Sequence, residues 1–263
     1  MNIVVCVKQV PNTNEVKINQ ETGTLIRDGV PSIINPDDRN AIEEALALKD
    51  EHGGKVTVIS MGPHQAKEAL KEALAMGADE AVLVTDRAFG GSDTWATATI
   101  LAAAIEKIGT YDLVFCGRQA IDGDTAQVGP EIAEFLNLPQ ITYCKNIKVD
   151  GEKLIVNRFT ETGDYVLEVK LPVLLTAIKE LNKPRYPSAK GIFQIYDGED
   201  VVKVYTLEDL DVDETQIGLK GSPTNVYKSF VPVRSKNSEI IEGFDNKEKA
   251  AILVEKLCDL KLI

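Results

Sequence analysis

The sequence is poor in the residues that hold metal ions or form disulfides. It has 2 histidines and 4 cysteines among 263 residues, and the cysteines, at positions 6, 116, 144 and 258, are far apart. They form no Cys-x-x-Cys pair and no metal-ligand spacing with His52 or His64. Cys6 and Cys116 lie inside apolar runs, where a free thiol usually packs as a small hydrophobic group. We therefore expect no disulfide framework, no metal site and no iron–sulfur cluster.

Long apolar segments and clustered basic residues are also missing. No stretch approaches the roughly 20 uninterrupted apolar residues that span a bilayer. The formal charge of −12 is spread along the chain, without the basic face that binds phosphate backbones. The first residues enter an apolar strand directly, with no charged leader. The sequence thus predicts a cytoplasmic protein that neither inserts into a membrane nor binds nucleic acid.

The standard nucleotide-binding and catalytic signatures are absent as well. The first strand is not followed by Gly-x-Gly-x-x-Gly, and neither the Gly-x-x-x-x-Gly-Lys-Ser/Thr loop nor the Gly-x-Ser-x-Gly elbow occurs. His52 and His64 have no serine, cysteine or carboxylate partner at a catalytic spacing. A conventional Rossmann dehydrogenase and a P-loop enzyme are therefore disfavoured.

What the sequence does contain is a regular alternation of strand and helix patterns. In chain order these are strand 3–7, helix 41–49, strand 56–59, helix 66–76, strand 81–84, helix 94–108, strand 113–116 and helix 128–136. Because each strand run is apolar throughout, it is expected to be buried on both faces, as parallel strands are. The alternation predicts an α/β fold with a doubly wound parallel sheet and right-handed crossovers.

Three regions depart from this alternation. Residues 11–34 are typical of a hairpin excursion, with a turn at Thr22-Gly23, and an added antiparallel part is predicted with strands at 141–149, 154–159 and 166–175. Beyond residue 190 the regular pattern fades until an amphipathic helix at 247–260. Such a tail is too thin to form its own core. We therefore divide the chain into an α/β domain, 1–190, and a C-terminal arm, 191–263, that packs on a neighbour.

The loop after the fourth strand, residues 117–130, is the most informative segment. Ligands of an open parallel sheet bind beyond the carboxyl ends of its strands, and this loop is long, polar and rich in glycine. Its backbone amides, Thr125 and the start of the next helix offer ligands for phosphate, while Asp122 and Asp124 suit ribose hydroxyls. The alternative is a turn that needs its two aspartates to cap the helix.

Two other segments give weaker signals. A glycine pair followed by Ser92, Asp93 and Thr94 opens a helix, where free N–H groups attract phosphate. Helix capping alone also explains it, and Asp93 would repel a phosphate if it pointed inward. The segment Asn35-Pro36-Asp37-Asp38 could present backbone and carboxylate groups to an adenine or a ribose, but capping explains it equally well.

Five short segments, in order along the chain, together resemble one family. They are Val-Lys-Gln-Val-Pro at 7–11, Asn-Pro at 35–36, Ala-Leu-Ala-Met-Gly-Ala-Asp at 73–79, Gly-Arg-Gln-Ala-Ile-Asp at 117–122 and Leu-Asn-Lys-Pro-Arg-Tyr at 181–186. In this order they resemble the beta subunit of electron-transferring flavoproteins, over most of the chain. The resemblance implies a Rossmann-like, adenine-nucleotide-binding fold and an alpha subunit on which the C-terminal arm packs.

The resemblance also implies a nucleotide site in this chain, which holds FAD in electron-bifurcating relatives and AMP in others. Carried over by motif, the site involves Cys6, Asn35, Pro36, Asp37, Asp38, Met61, Gln119, Ala120, Ile121, Asp122, Gly123, Asp124, Thr125, Ala126, Gln127, Val128, Gly129 and Pro130. Residues 122–130 resemble the bifurcating type, because AMP-holding relatives have bulkier residues here and small ones leave room for a flavin. The turn with Ser92, Asp93 and Thr94 would serve the pyrophosphate of FAD or of NADH.

The function implied by the bifurcating type is electron transfer within a complex. NADH would donate electrons to the flavin of this chain, one passing to ferredoxin or flavodoxin and the other to the alpha-subunit FAD and an acyl-CoA-type dehydrogenase. The alternatives are a non-bifurcating subunit that holds a structural AMP, and an unrelated adenine-nucleotide enzyme. Since the flavin carries the redox chemistry, we expect no catalytic acid, base or nucleophile.

The dehydrogenase is expected to dock on residues 181–192. By resemblance the docking residues are Leu181, Pro184, Arg185, Tyr186, Ala189 and Ile192. Ala189 stands where some relatives have a leucine anchor, which leaves open which dehydrogenase docks and how. The alternative for residues 184–187 is a rigid connector bounded by prolines.

Overall fold

The computed structural model describes residues 1–12, 17–18, 25–26, 31–197, 200–227 and 238–263. The chain divides into two compact units, the first comprising Met1–Lys17 and Leu25–Tyr227, the second Ile18–Thr24 and Lys228–Ile263. The strands are β1 (Asn2–Cys6), β2 (Gln9–Pro11), β3 (Lys17–Ile18), β4 (Leu25–Ile26), β5 (Ser32–Ile34), β6 (Lys55–Met61), β7 (Glu80–Val84), β8 (Leu113–Gly117), β9 (Gln140–Asp150), β10 (Lys153–Thr160), β11 (Gly163–Lys170), β12 (Val173–Ala177) and β13 (Val202–Tyr205). The α-helices are α1 (Pro36–His52), α2 (Lys67–Met76), α3 (Thr94–Ile108), α4 (Val128–Phe135), α5 (Ala189–Tyr196), α6 (Gly218–Gly221) and α7 (Asn246–Asp259).

The large sheet of the first unit confirms the doubly wound prediction. Its strand order is β11-β10-β9-β12-β8-β1-β6-β7-β13, and the seven strands from β9 to β13 in that order are parallel to one another. The chain moves outward from β1 through β6 to β7 and then returns to β8 on the other side of β1. This reversal makes the carboxyl ends of β1 and β8 the topological switch point, where ligands of such sheets bind.

The core consists of two layers, one on each face of the sheet. Alternate residues of β1 enter opposite layers: Ile3 and Val5 pack with α1 and α2, whereas Val4 and Cys6 pack with α3 and α4. This alternation is what a period of two in a strand produces. Helices therefore cover both faces, and the two ends of the sheet are left for loops.

The antiparallel part differs from the sequence prediction in two respects. The segment 166–175, predicted as a single antiparallel strand, is two strands: β11 pairs antiparallel with β10, and β12 lies parallel to β8 in the middle of the sheet. Pro172 separates them, because it has no N–H to continue the ladder. The predicted strand at 141–149 is also mixed, since β9 is parallel to β12 and antiparallel to β10.

The structure describes part of the excursion predicted at 11–34 and part of the C-terminal arm predicted at 191–263. β2 pairs antiparallel with β5, which forms the base of the excursion, while its turn at Thr22-Gly23 lies outside the described residues. In the tail, β13 joins the large sheet beside β7, so the compact units do not divide at residue 190. Helix α7, in the second unit, begins after Asp245, whose carboxylate accepts a hydrogen bond from the Glu248 N–H at 2.8 Å. Across the described ranges, we find no helix of the length and apolarity that crossing a bilayer requires.

Candidate functional site

The candidate site lies at the switch point between β1 and β8. The two strands run in register, with Cys6 opposite Cys116, and the first turn of α1 lies beside their carboxyl ends. The loop that follows β8, residues 117–127, continues from this edge to the start of α4. The structure therefore brings together three of the segments predicted from the sequence.

Asp38 connects the ends of the two strands. One carboxylate oxygen accepts a hydrogen bond from the Lys8 N–H at 2.7 Å, and the other accepts one from the buried Gly117 N–H at 3.1 Å. A Cβ atom at position 117 would lie 2.2 Å from the Asp38 carboxylate and 2.7 Å from its backbone nitrogen. Only glycine permits this approach, so the residue type at 117 follows from the position of Asp38.

Asn35 connects the start of α1 to the loop after β8. Its side-chain amide donates to the Gln119 carbonyl at 2.8 Å and accepts from the Ile121 N–H at 3.1 Å, and the residue is fully buried. Its backbone N–H donates to the Lys8 carbonyl at 2.9 Å. Helix capping, the alternative for residues 35–38, does not account for Asn35, because its side chain makes no cap hydrogen bond to α1.

Burial dominates the electrostatics of Asp38 and Asp37. Burial raises the pKa of Asp38 to about 7, although the Asn35 amide and the two backbone N–H groups lower it in part. Burial also raises the pKa of Asp37, against the lowering effect of Arg118. Arg118 Nε lies 3.2 Å from Asp37 Oδ2, but neither atom has a hydrogen-bond partner among the described residues. The pair is thus held by charge without a directed hydrogen bond.

The aspartates of the loop bind other parts of the site. Asp122 pairs with the Lys8 ammonium at 2.7 Å, and Asp124 accepts from Gln119 Nε2 at 2.8 Å. Neither caps α4, so the capping alternative for this loop is not what the structure contains. Asp124 and Ala126 have left-handed φ angles of 50° and 53°, which non-glycine residues seldom adopt and which concentrate at ligand sites.

The start of α4 has no side-chain cap, although its first turn carries the acidic residue Glu131. Its N-cap residue, Gln127, makes no side-chain cap hydrogen bond, and the first helical amides belong to Val128 and Gly129. A Cβ at position 129 would lie 3.1 Å from Thr176 Cγ2 and 3.4 Å from Cys116 Cβ, so glycine brings the helix start close to the strand ends. A Cβ at Gly123 would meet no atom within 4 Å. Uncapped amides and the helix dipole suit phosphate, which makes this the best-fitting group for the segment.

The side chains of the second glycine-rich turn are engaged within the chain. Asp93 caps α3 by accepting from the Ala96 N–H at 3.1 Å and also accepts from the Thr224 N–H at 2.8 Å. Ser92 donates to the Phe89 carbonyl at 2.8 Å, and Thr94 donates to Glu131 Oε1 at 3.1 Å. The carboxylate thus serves the helix and residue 224, and a role of residues 92–94 in cofactor binding stays a prediction.

Cys6 and Met61 lie at the ends of neighbouring strands. Cys6 is buried and Met61 half-buried, and both contact the core layer of α3 and α4. The neighbouring Cys6 thiol and burial raise the pKa of Cys116 well above its usual value, so this thiol stays protonated. Neither the thiols nor any other group of three or more His, Cys, Asp and Glu side chains among the described residues has the arrangement of a metal site.

The predicted docking segment is anchored on α1. Arg185 makes a bidentate ion pair with Glu43, in which Nε and Nη2 donate to the two carboxylate oxygens at 2.9 and 3.1 Å. Its Nη2 also lies 2.9 Å from Asp50 Oδ2. Leu181 packs against the core layer of α1 and α2, and Pro184 is half-buried. These three residues therefore position the segment within the chain.

The segment and the helix that follows it expose several apolar side chains. Tyr186 is 84% exposed, Ile192 42% and Phe193 67%, and Ala189 begins the exposed helix α5. Neither α5 nor the exposure of Phe193 was predicted from the sequence. A signal was present, because Ser188 precedes the apolar residues of α5 and caps it by accepting from the Gly191 N–H at 2.9 Å.

Comparisons with known proteins point to one family. The family described as "Electron transfer flavoprotein domain" matches residues 22–200. The chain is 62% identical to the electron transfer flavoprotein subunit beta of Thermoanaerobacterium thermosaccharolyticum over 98% of each chain. It is 54% identical to the caffeyl-CoA reductase-Etf complex subunit CarD of Acetobacterium woodii, and 50% identical to the acryloyl-CoA reductase electron transfer subunit gamma of Anaerotignum propionicum, over 100% of each chain in both cases.

Proposed function

The chain belongs to the electron transfer flavoprotein family, as a beta subunit, and on this premise we propose that it binds FAD at the switch point and takes part in electron bifurcation. In this proposal NADH is the electron donor. One electron leaves for ferredoxin or flavodoxin, and the other passes to the FAD of the alpha subunit and on to an acyl-CoA-type dehydrogenase. The flavin supplies the redox chemistry when bound, and the protein binds and orients it.

One observation carries the proposal: the loop 117–127 leads from the switch point into a helix start that no side chain caps. The amides of Val128 and Gly129 would hold the pyrophosphate, which the α4 dipole favours. The open position at Gly123 and the small side chain of Ala126 leave room beside it. Asp124, whose carboxylate has one hydrogen bond to Gln119, keeps acceptor capacity for a ribose hydroxyl.

The names of two relatives indicate which kind of protein accepts the electrons. The names of the Acetobacterium woodii and Anaerotignum propionicum proteins associate each of them with the reductase of a CoA ester. We infer that the acceptor for this chain is a dehydrogenase of the same substrate class. It would dock on the exposed residues Tyr186, Ala189, Ile192 and Phe193, and we place the complex in the cytoplasm.

A second candidate is a subunit that holds AMP as a structural ligand. The same uncapped helix start suits a single phosphate as well as a pyrophosphate, so the anion site alone does not separate the two nucleotides. The small residues of the loop favour FAD, since AMP needs less room.

The cofactor content of the heterodimer tests the proposal. We expect the chain copurified with its alpha subunit to yield two FAD and no AMP on denaturing extraction. One FAD and one AMP per heterodimer would reject bifurcation and support the structural AMP. With two FAD present, NADH should reduce ferredoxin only while a CoA-ester acceptor is also being reduced.

A further inference from the structure

Asp38 takes no direct part in the proposed electron transfer, but it lies at the proposed nucleotide site. Its carboxylate is buried at the switch point and bonds the backbone of both strands, at Lys8 and at Gly117. Three residues earlier, Asn35 bonds the loop at Gln119 and Ile121. The start of α1 therefore holds the end of β1, the end of β8 and the first residues of the nucleotide loop in one arrangement.

The bonding pattern favours a charged carboxylate. Each of its two oxygens accepts from a different N–H group, and both donors belong to the backbone, which cannot turn to offer an acceptor instead. In a neutral carboxylic acid one oxygen carries the proton, and this oxygen is a much weaker acceptor than a carboxylate oxygen. Protonation would therefore weaken one of the two bonds to the strand ends and add an O–H donor that has no acceptor in the backbone groups it faces.

We propose that Asp38 is a positioning residue for the nucleotide, whose charged carboxylate keeps the ends of β1 and β8 in the binding arrangement, so that nucleotide affinity falls when Asp38 takes up a proton. This inference rests on the proposed nucleotide site and adds its regulation by pH. The raised pKa of Asp38, about 7, puts the transition within the range a cell experiences.

The other titratable and charged groups around Asp38 do not replace this role. On α1, Asp37 pairs with Arg118 of the loop and bonds neither strand end. On β1 and β8, the thiols Cys6 and Cys116 lie close by, and that of Cys116 stays protonated. The Lys8 ammonium pairs with Asp122, away from the Lys8 N–H that Asp38 binds.

Nucleotide affinity as a function of pH tests the inference. The dissociation constants of FAD and of AMP are measured on the heterodimer, freed of its nucleotide in this subunit, between pH 6 and pH 8.5. Affinity should fall by about tenfold from pH 8 to pH 6. This is the change expected when binding requires deprotonated Asp38 and its pKa is about 7. The isosteric variant Asp38→Asn cannot carry the charge and should bind weakly at every pH, with a flat profile.

Glu44→Gln is the matched control. Glu44 lies on the same helix and burial also raises its pKa, but it bonds Asn182 rather than a strand end. This variant should keep both the affinity and the pH profile of the unmodified complex. An unmodified complex whose affinity is flat with pH, or rises as the pH falls, overturns the inference, as does an Asp38→Asn variant with unchanged affinity.

Two further outcomes keep the test decisive. If neither FAD nor AMP binds at any pH, the proposed nucleotide site itself is rejected, and the inference with it. If Asp38→Asn does not fold, hydrogen exchange on the unmodified complex replaces it: below pH 7 the amides of Lys8 and Gly117 should lose protection relative to Val5 and Phe115. Equal protection at all pH values would contradict the role of Asp38.

Discussion

At the scale of single residues, the site depends on polar side chains that are buried. Asn35 and Asp38 bond groups 30 to 86 positions away in the chain, at Lys8, Gly117 and the loop beyond. The sequence indicated that residues 35–38 were polar and near a helix start, but it left capping and ligand binding as alternatives. Their actual partners are determined by which strand ends become neighbours, and no local pattern contains that information.

Gly123 is the residue at which the room for a flavin is most easily removed. A side chain there meets no atom of the chain within 4 Å, so Gly123→Leu should fold normally and leave the free energy of unfolding within about 0.5 kcal/mol. We expect it to lower the affinity for FAD in this subunit by at least about tenfold, which corresponds to about 1.4 kcal/mol. The FAD of the alpha subunit should remain, as flavin content after purification would measure.

Gly123→Ala is the control for this variant, since a methyl group fits the same space without filling it. It should retain both flavins. Retention of two flavins by Gly123→Leu would show that position 123 does not face the cofactor.

At the scale of elements, the regular strands and helices were predictable and the strand partners were not. The apolar runs at 81–84 and 113–116 became β7 and β8 with at most one residue added at an end, and the helix predicted at 94–108 is α3. The residues of β12 were wrongly predicted as the end of an antiparallel strand over 166–175, because alternation and turn residues indicate a strand without indicating its neighbour. Helix α1 begins five residues before its predicted start, since its first turn buries the carboxylates of Asp37 and Asp38 instead of apolar groups.

The uncapped start of α4 gives a prediction about charge. Gln127→Asp would place a carboxylate where we propose that a pyrophosphate binds. It should stabilise the cofactor-free protein by about 0.3–1 kcal/mol through the helix dipole. It should also weaken FAD binding by about tenfold, because the carboxylate and the phosphates repel each other at close range.

Equilibrium unfolding of the cofactor-free complex and FAD titration measure the two effects. Gln127→Asn is the uncharged counterpart and should leave the affinity within about threefold of the original, equivalent to about 0.7 kcal/mol. Unchanged FAD affinity in Gln127→Asp would argue that the start of α4 is not the anion site.

At the scale of the whole molecule, the first unit contains the two separate regions for which we propose functions. The switch point lies at the carboxyl edge of the sheet, and the docking segment runs from β12 along α1 to α2, where the Ser188 N–H donates to the Ala75 carbonyl at 3.2 Å. The sequence predicted both regions by resemblance. Periodicity alone did not indicate α5, because eight residues with no buried side chain give too short a periodic signal, and the cap at Ser188 was the signal that remained.

Phe193 should contribute to docking as an exposed aromatic residue beside this segment. It is 67% exposed on α5, and a large aromatic side chain of this kind often dominates an interface. Phe193→Ala should raise the KM for the acyl-CoA-type dehydrogenase by about tenfold or more, the effect of losing one such contact. Reduction of the flavins by NADH should continue at the original rate, since the change is on the docking segment and not at the switch point.

Tyr165→Ala is the matched control, because Tyr165 is an aromatic residue that is 56% exposed on the edge strand β11. It should leave the KM for the dehydrogenase unchanged. An equal effect of the two substitutions, or none from Phe193→Ala, would place the docking surface elsewhere.

A crystal structure of the heterodimer with the cofactors it carries from the cell is the most direct test of the nucleotide site. We predict an adenine nucleotide at the carboxyl ends of β1 and β8, with phosphate oxygens within hydrogen-bond distance of the Val128 and Gly129 amides. A nucleotide bound to this subunit away from residues 117–130 would contradict it.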